Sequence, residues 1–178
     1  MINIKKNLFL IGMMGSWKST VGRRLAEALN MEFVDTDDVI EDVTEMKISD
    51  IFSQFGEDRF REMEMAFFSE KTKKENQVFS TGGGIILSTT NRKILKNNGT
   101  TFFLNASIKI LASRIHNTQK RPLLHASDNL ESRLKQIWED RKRYYISSAH
   151  HTIQTDDLSP SLTLDKILNL LEVSLENH

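Results

Sequence analysis

The sequence predicts an α/β fold in which a parallel sheet carries helices on both faces. Short apolar runs alternate along the chain with longer segments of helical periodicity. Five of the eight glycines follow predicted strands, and no repeat, low-complexity tract or Pro/Gly linker divides the chain. Strands separated by helices favour parallel pairing with both sheet faces covered. At 178 residues the chain is long enough for one well-buried core and short for two independent domains.

Each element follows from its local pattern. LFLIG (8–12) reads as a first strand buried on both faces, and STVGRRLAEAL (19–29) as the helix after it. EFVDTD (32–37) reads as a second strand ending in acids. QVFST (77–81) and TTFFLN (100–105) are the next strands, and HTIQT (151–155) is the last. Helical patterns span 57–74, 107–116, 129–148 and 161–175.

Composition removes several classes of function. Lys plus Arg and Asp plus Glu are both 24, so no net field draws the chain to nucleic acid or to a membrane, and neither partner is expected. There is no cysteine, which excludes disulfides and thiolate metal sites and fits a cytoplasmic location. The opening MINIKKNLFLIG has an apolar run but no small-residue cleavage site, so it is read as a strand rather than a signal peptide. No apolar segment approaches the length of a membrane span. The five histidines have no metal-ligand spacing, and the seven methionines read as core filler.

The chemistry concentrates behind the strand ends, where sheets of this kind bind ligands. GMMGSWKST, from Gly12 to Thr20, joins the first strand to the first helix. Its spacing is that of a phosphate-binding loop, with Trp17 where the second glycine is expected. In such a loop the N–H groups of Gly15, Ser16 and Trp17 converge on phosphate oxygens at the helix start. Lys18 reaches the β- and γ-phosphates, the Ser19 hydroxyl faces Mg2+, and Thr20 follows inside the helix. An ordinary helix start capped by Ser19 or Thr20 is the competing reading. Gly82, Gly83 and Gly84 follow another strand, and a triple glycine points to close approach of a ligand.

Other residues are ambiguous taken singly. Asp35 and Asp37, alternating on a strand end, send their carboxylates to opposite faces, one toward a metal-bound water and one toward a substrate hydroxyl. Helix capping by Asp37 or Asp38 is the alternative. Arg61 and Glu64 at i, i+3 read equally as a surface ion pair. Arg121 lies in a polar connector before Pro122, and Arg141 lies in a basic run that also suits a solvated face.

Taken together, NLFLIGMMGSWKSTVGRRLA, FVDTDDVIE, FGEDRFREMEMAF, STGGGI, RPLL and the segment from Arg141 to Tyr145 closely resemble the shikimate kinases, P-loop small-molecule kinases related to the nucleoside monophosphate kinases. The resemblance covers nearly the whole chain and implies one domain with a five-stranded parallel sheet in the order 2-3-1-4-5. It implies a substrate-binding region at about 36–64 and a lid at about 116–128. The implied reaction moves the γ-phosphoryl group of ATP, with Mg2+, to the 3-hydroxyl of shikimate in aromatic amino-acid biosynthesis. A monomer is expected.

The same resemblance assigns roles. Lys18 and Arg121 neutralise the transferring phosphoryl group, and Ser19 binds Mg2+ with Asp35 supporting its water shell. Asp37 accepts from shikimate hydroxyls and takes the proton of the attacking one. Arg61 and Arg141 clamp the shikimate carboxylate, a planar anion suited to guanidinium forks. Glu64 orients Arg61. The backbone of Gly82, Gly83 and Gly84 approaches the substrate, closest at Gly83. Arg114 flanks the adenine, with the loop from Thr155 to Pro160 on its other side. The chain departs from the family at Arg143-Tyr144, where Pro-Leu is frequent, and at Trp17.

Trp17 sets the alternatives. If Lys18 begins the helix, an anion nest places residues 15 and 17 in the left-handed region, where a non-glycine residue costs about 1–3 kcal/mol. Weakened ATP binding, spared shikimate binding and a distorted empty loop are the expected consequences. The competing readings are a shikimate-binding protein that has lost nucleotide use and a related kinase for another hydroxy acid such as gluconate.

Overall fold

The computed structural model describes residues 6–115 and 129–176. The strands are β1 (Asn7–Ile11), β2 (Glu32–Asp35), β3 (Gln77–Ser80), β4 (Gly99–Asn105) and β5 (His151–Gln154). The helices are α1 (Lys18–Leu29), α2 (Thr36–Thr44), α3 (Ile48–Lys71), α4 (Thr89–Asn97), α5 (Ile108–Arg114), α6 (Leu130–Ser148) and α7 (Pro160–Glu176). All strand pairs are parallel, and the sheet order is β2-β3-β1-β4-β5, as expected.

The period-two geometry of β1 divides the core. Phe9 and Ile11 face one layer, where Phe9, Phe68 and Phe79 meet with ring centroids 5.2–5.8 Å apart. Leu8 and Leu10 face the other, against Val21 and Leu25 of α1 and Ile167 and Leu171 of α7. Both faces of β1 are therefore dry, which explains its unbroken apolar run. A third small cluster of Ile40, Ile51 and Phe60 holds α2 to α3.

Local signals set the helix ends. Asn30, left-handed at φ 52°, closes α1 by donating to the carbonyls of Ala26 and Glu27. Within α3 the chain breaks at Gly56 (φ 80°, ψ 171°), which separates an eight-residue stretch from the predicted helix beyond it.

One expectation is corrected. Residues 32–37 are not a continuous strand: β2 ends at Asp35, and Asp37 lies in the first turn of α2. Asp35 is itself the N-cap, its carboxylate accepting from the Asp37 N–H at 3.1 Å, so neither Asp37 nor Asp38 caps the helix. This side-chain bond turns the backbone helical where the apolar pattern alone suggested strand. The two carboxylates are thus related by a helix start, not by alternation across a sheet.

Asn7 is a buried polar residue with a stated load. Its Nδ2 donates to the Lys74 carbonyl at 2.8 Å and its Oδ1 accepts from the Gln77 N–H at 3.0 Å, tying β1 to the turn before β3. Asn7→Ala leaves these groups without that partner and is expected to lower stability by about 2–3 kcal/mol, read as a shift in the urea midpoint at unchanged m.

Candidate active site

The phosphate-binding loop leaves β1 with Gly12 at φ 150°, Gly15 at φ 81° and Trp17 at φ 65°, and Lys18 opens α1. The left-handed pair expected at positions 15 and 17 is present. Trp17 occupies the N-cap position with no side-chain cap bond, so the ordinary capped helix start does not apply. Lys18 Nζ donates to the carbonyls of Gly12 and Met13, both at 2.9 Å, and to Ser16 Oγ at 3.3 Å. Its ammonium is thereby held over the loop.

Ser19 Oγ donates to Asp35 Oδ2 at 2.7 Å and lies 3.0 Å from Ser80 Oγ. A hydroxyl beside a carboxylate is an oxygen donor set that fits Mg2+, which prefers one or two protein oxygens and completes its shell with water and phosphate.

The opposite wall is built by α2, α3, α6 and the glycine loop. Arg61 donates through Nη1 to Glu64 Oε2 at 2.8 Å and through Nη2 to Glu57 Oε1 at 3.1 Å. The side chain of Glu64 is only 2% exposed and that of Arg61 19%, so this is not a surface pair. Burial pushes the Glu64 pKa up against the pull of Arg61 and Arg141, and its Oε1 has no hydrogen-bond partner among the described residues. Burial opposes the Arg61 charge, but Glu64 and Glu57 outweigh it and raise the Arg61 pKa. Arg141 is buried rather than solvated and donates to the Gly83 carbonyl at 3.4 Å. The Tyr145 hydroxyl donates to the same carbonyl, and burial pushes its pKa up to about 12.

The glycines at 82 and 84 are required by close approach. A β-carbon on Gly82 would lie 2.7 Å from Asp37 Oδ1 and 2.8 Å from Glu64 Oε1. On Gly84 it would lie 2.3 Å from the Arg61 guanidinium. Gly83 differs, because its nearest neighbour would be the Gly12 carbonyl at 3.6 Å, an ordinary contact. Among the described residues no atom therefore demands glycine at position 83.

One cavity of about 380 Å3 joins both halves. Gly15 to Thr20 and Asp35 lie at the loop end; Asp37, Arg61, Glu64, Arg141 and the three glycines line the acceptor end. Arg114 borders the cavity beside Trp17, with its guanidinium carbon 3.4 Å from the indole ring centre. Gly12 does not line the cavity; its carbonyl accepts from Lys18 Nζ. Pro160 is the first residue of α7 and does not line the cavity. Arg121 and the predicted lid at 116–128 lie outside the described residues. Sequence reasoning missed Thr36, whose Oγ1 accepts from the Gly82 N–H at 2.8 Å, and the Ser80 hydroxyl beside Ser19. It also missed the apolar wall of Ile48, Phe52 and Phe60. Only the polarity of Thr36 between two aspartates hinted at a role.

A parallel sheet, a glycine-containing loop ending in Lys-Ser at a helix start, and an acid at the facing wall define a P-loop phosphotransferase. The family model described as shikimate kinase matches residues 14–172. The chain is 42% identical over 167 residues to a shikimate kinase of Thermodesulfovibrio yellowstonii, covering 94% of this chain and 95% of that protein. It is 41% identical over 168 residues to one of Vibrio parahaemolyticus, covering 94% and 97%. The fold matches a shikimate kinase from Acinetobacter baumannii, solved in complex with shikimate, with a TM-score of 0.92 at 36% identity over 96% of this chain and 94% of that one. The chain belongs to the shikimate kinase family.

Asp37 carries a consequence for stability. Burial first, then the charges of Asp35 and Glu64, raise its pKa to about 7 from an ordinary 3.8. The folded state therefore keeps a proton that the unfolded state loses, so folding weakens as pH rises through this window and levels off above it. Asp37→Asn lacks this slope. Relative to wild type it should gain on the order of 3 kcal/mol between about pH 4.5 and pH 8, read from urea midpoints.

Proposed function

We propose that this chain catalyses transfer of the γ-phosphoryl group of ATP to the 3-hydroxyl of shikimate, acting as a cytoplasmic monomer. The observation that carries this reading is the single cavity with a phosphate loop at one end and Asp37, Arg61 and Arg141 at the other. Phosphoryl transfer asks little covalent chemistry of the protein; it asks for alignment and charge neutralisation.

In this reading the N–H groups of residues 15–17 hold the phosphates and Lys18 turns its ammonium from the loop carbonyls to them. Arg121 adds a second positive charge by resemblance alone. Arg61 and Arg141 bind the shikimate carboxylate as a pair of guanidinium donors. Glu64 and Glu57 fix the orientation of Arg61 from behind, at 2.8 and 3.1 Å. Asp37 accepts the proton of the attacking hydroxyl, for which a pKa near 7 is suited. Ser19 and Asp35 would hold Mg2+, which supplies charge neutralisation at the phosphates when bound.

The retained left-handed backbone at Gly15 and Trp17 supports an active enzyme over a protein that only binds shikimate, because the N–H of residue 17 stays in the loop. A coupled assay with ATP, Mg2+ and shikimate tests the reading. Turnover to shikimate 3-phosphate is expected, with kcat/KM rising with pH to a plateau above about pH 7. Asp37→Asn should lower kcat by roughly 100-fold or more. Arg61→Lys and Arg141→Lys should raise KM for shikimate by about tenfold each, with KM for ATP little changed. Shikimate binding without turnover would leave a binding protein, and phosphorylation of gluconate in preference to shikimate would assign the related kinase instead.

A further inference from the structure

Trp17 and Arg114 make a contact that the reaction above does not use. The Arg114 guanidinium lies over the indole with its carbon 3.4 Å from the ring centre, within cation–π range. Arg114 is pinned in its own plane, through Nη2 to the Thr155 carbonyl at 2.6 Å and Nη1 to Thr155 Oγ1 at 3.1 Å. Its edges are committed to the protein, and a face is what it offers to a flat ligand.

The cavity fixes where a nucleoside must go. Phosphates in the nest have the acceptor wall of Asp37, Arg61 and Arg141 on one side, so the rest of the nucleotide leaves on the other. Trp17, Thr20 and Arg114 all line the cavity, and Arg114 lies directly against Trp17. The family resemblance places the adenine beside Arg114, and the Arg114 face is a surface able to stack it. An indole and a purine are both flat bicyclic rings of similar area, and each stacks on a guanidinium.

We propose that the Trp17 indole occupies the seat of the nucleotide base on Arg114, so that ATP binds by displacing it. The inference rests on the ATP-dependent reading given above. The backbone of residue 17 need not move, because its left-handed φ of 65° already places the N–H in the nest; side-chain rotation alone clears the seat. Trp17 then lowers affinity for the nucleoside part of ATP while leaving the phosphate part untouched.

Inorganic tripolyphosphate separates these contributions, since it fills the nest and carries no base. Calorimetry on the full chain compares MgATP and magnesium tripolyphosphate in wild type and Trp17→Gly. Glycine suits the left-handed backbone, so the variant should fold. The expected result is a tightening for MgATP of about 3- to 10-fold, the size of a lost stacking competitor, with tripolyphosphate unchanged. In a Trp138→Phe background, where Trp17 is the sole tryptophan, ATP should shift its emission and tripolyphosphate should not. Equal changes for both ligands would overturn the inference by placing the effect in the nest backbone. Unchanged or weakened ATP binding in Trp17→Gly, at constant tripolyphosphate affinity, would overturn it by making the indole a bystander or a platform. Failure of both proteins to bind MgATP would instead sink the kinase reading itself, and the inference with it.

Discussion

The site depends on one clasp between adjacent parallel strands. Thr81, just past β3, donates twice to the Leu10 carbonyl of β1, through its N–H at 3.2 Å and its hydroxyl at 2.9 Å. That locks the departure points of the phosphate loop and the triple-glycine loop side by side. Because β1 and β3 run parallel, both loops emerge from the same edge of the sheet. The dry, close-packed strands below, with Leu8, Phe9, Leu10 and Ile11 all fully buried, give this edge its rigidity.

Rigidity on the acceptor wall comes from charge as well as packing. A buried ion pair is weak evidence of stabilisation, since desolvation offsets much of the Coulomb gain. Arg61 nevertheless sits between Glu64 and Glu57, and the space for it exists only because Gly84 has no β-carbon. Its position is therefore over-determined while its net contribution to folding is small. The unpartnered Glu64 Oε1 and the raised pKa of Asp37 are the same economy seen from the carboxylate side: both acids are kept beside Gly82 at a cost to the fold. Such a wall serves ligand orientation better than it serves stability.

The legibility of this protein in its sequence follows the range of the interactions involved. Strands buried on both faces declare themselves as apolar runs, and the loop from Gly12 to Thr20 declares itself by spacing, because both are local. The start of α2 did not, since it turns on the Asp35 carboxylate capping its neighbour's backbone, a choice that the β-like run EFVDTD conceals. The burial of Glu64 and Arg141 was equally hidden: both sit in helical charge patterns that read as solvated faces, and only packing against the glycine loop removes them from water. Thr36 acts through one bond to a residue 46 positions away and Thr155 through two bonds to a residue 41 positions away, for which no sequence spacing exists.

Position 17 shows how such long-range contacts change the meaning of a local departure. In isolation a tryptophan in the left-handed region carries about 1–3 kcal/mol of strain. A stacked cation returns about 0.5–2 kcal/mol, depending on how far the pair is desolvated. The indole here is half-buried and also borders the second apolar cluster, so the two effects are of the same order. The loop can therefore keep its shape with a residue that local rules disfavour. What Trp17 alters is the neighbourhood of the loop, where its ring lies against the planar cation of Arg114 at the cavity border. A motif scored by spacing registers a missing glycine; the folded chain registers an added aromatic surface.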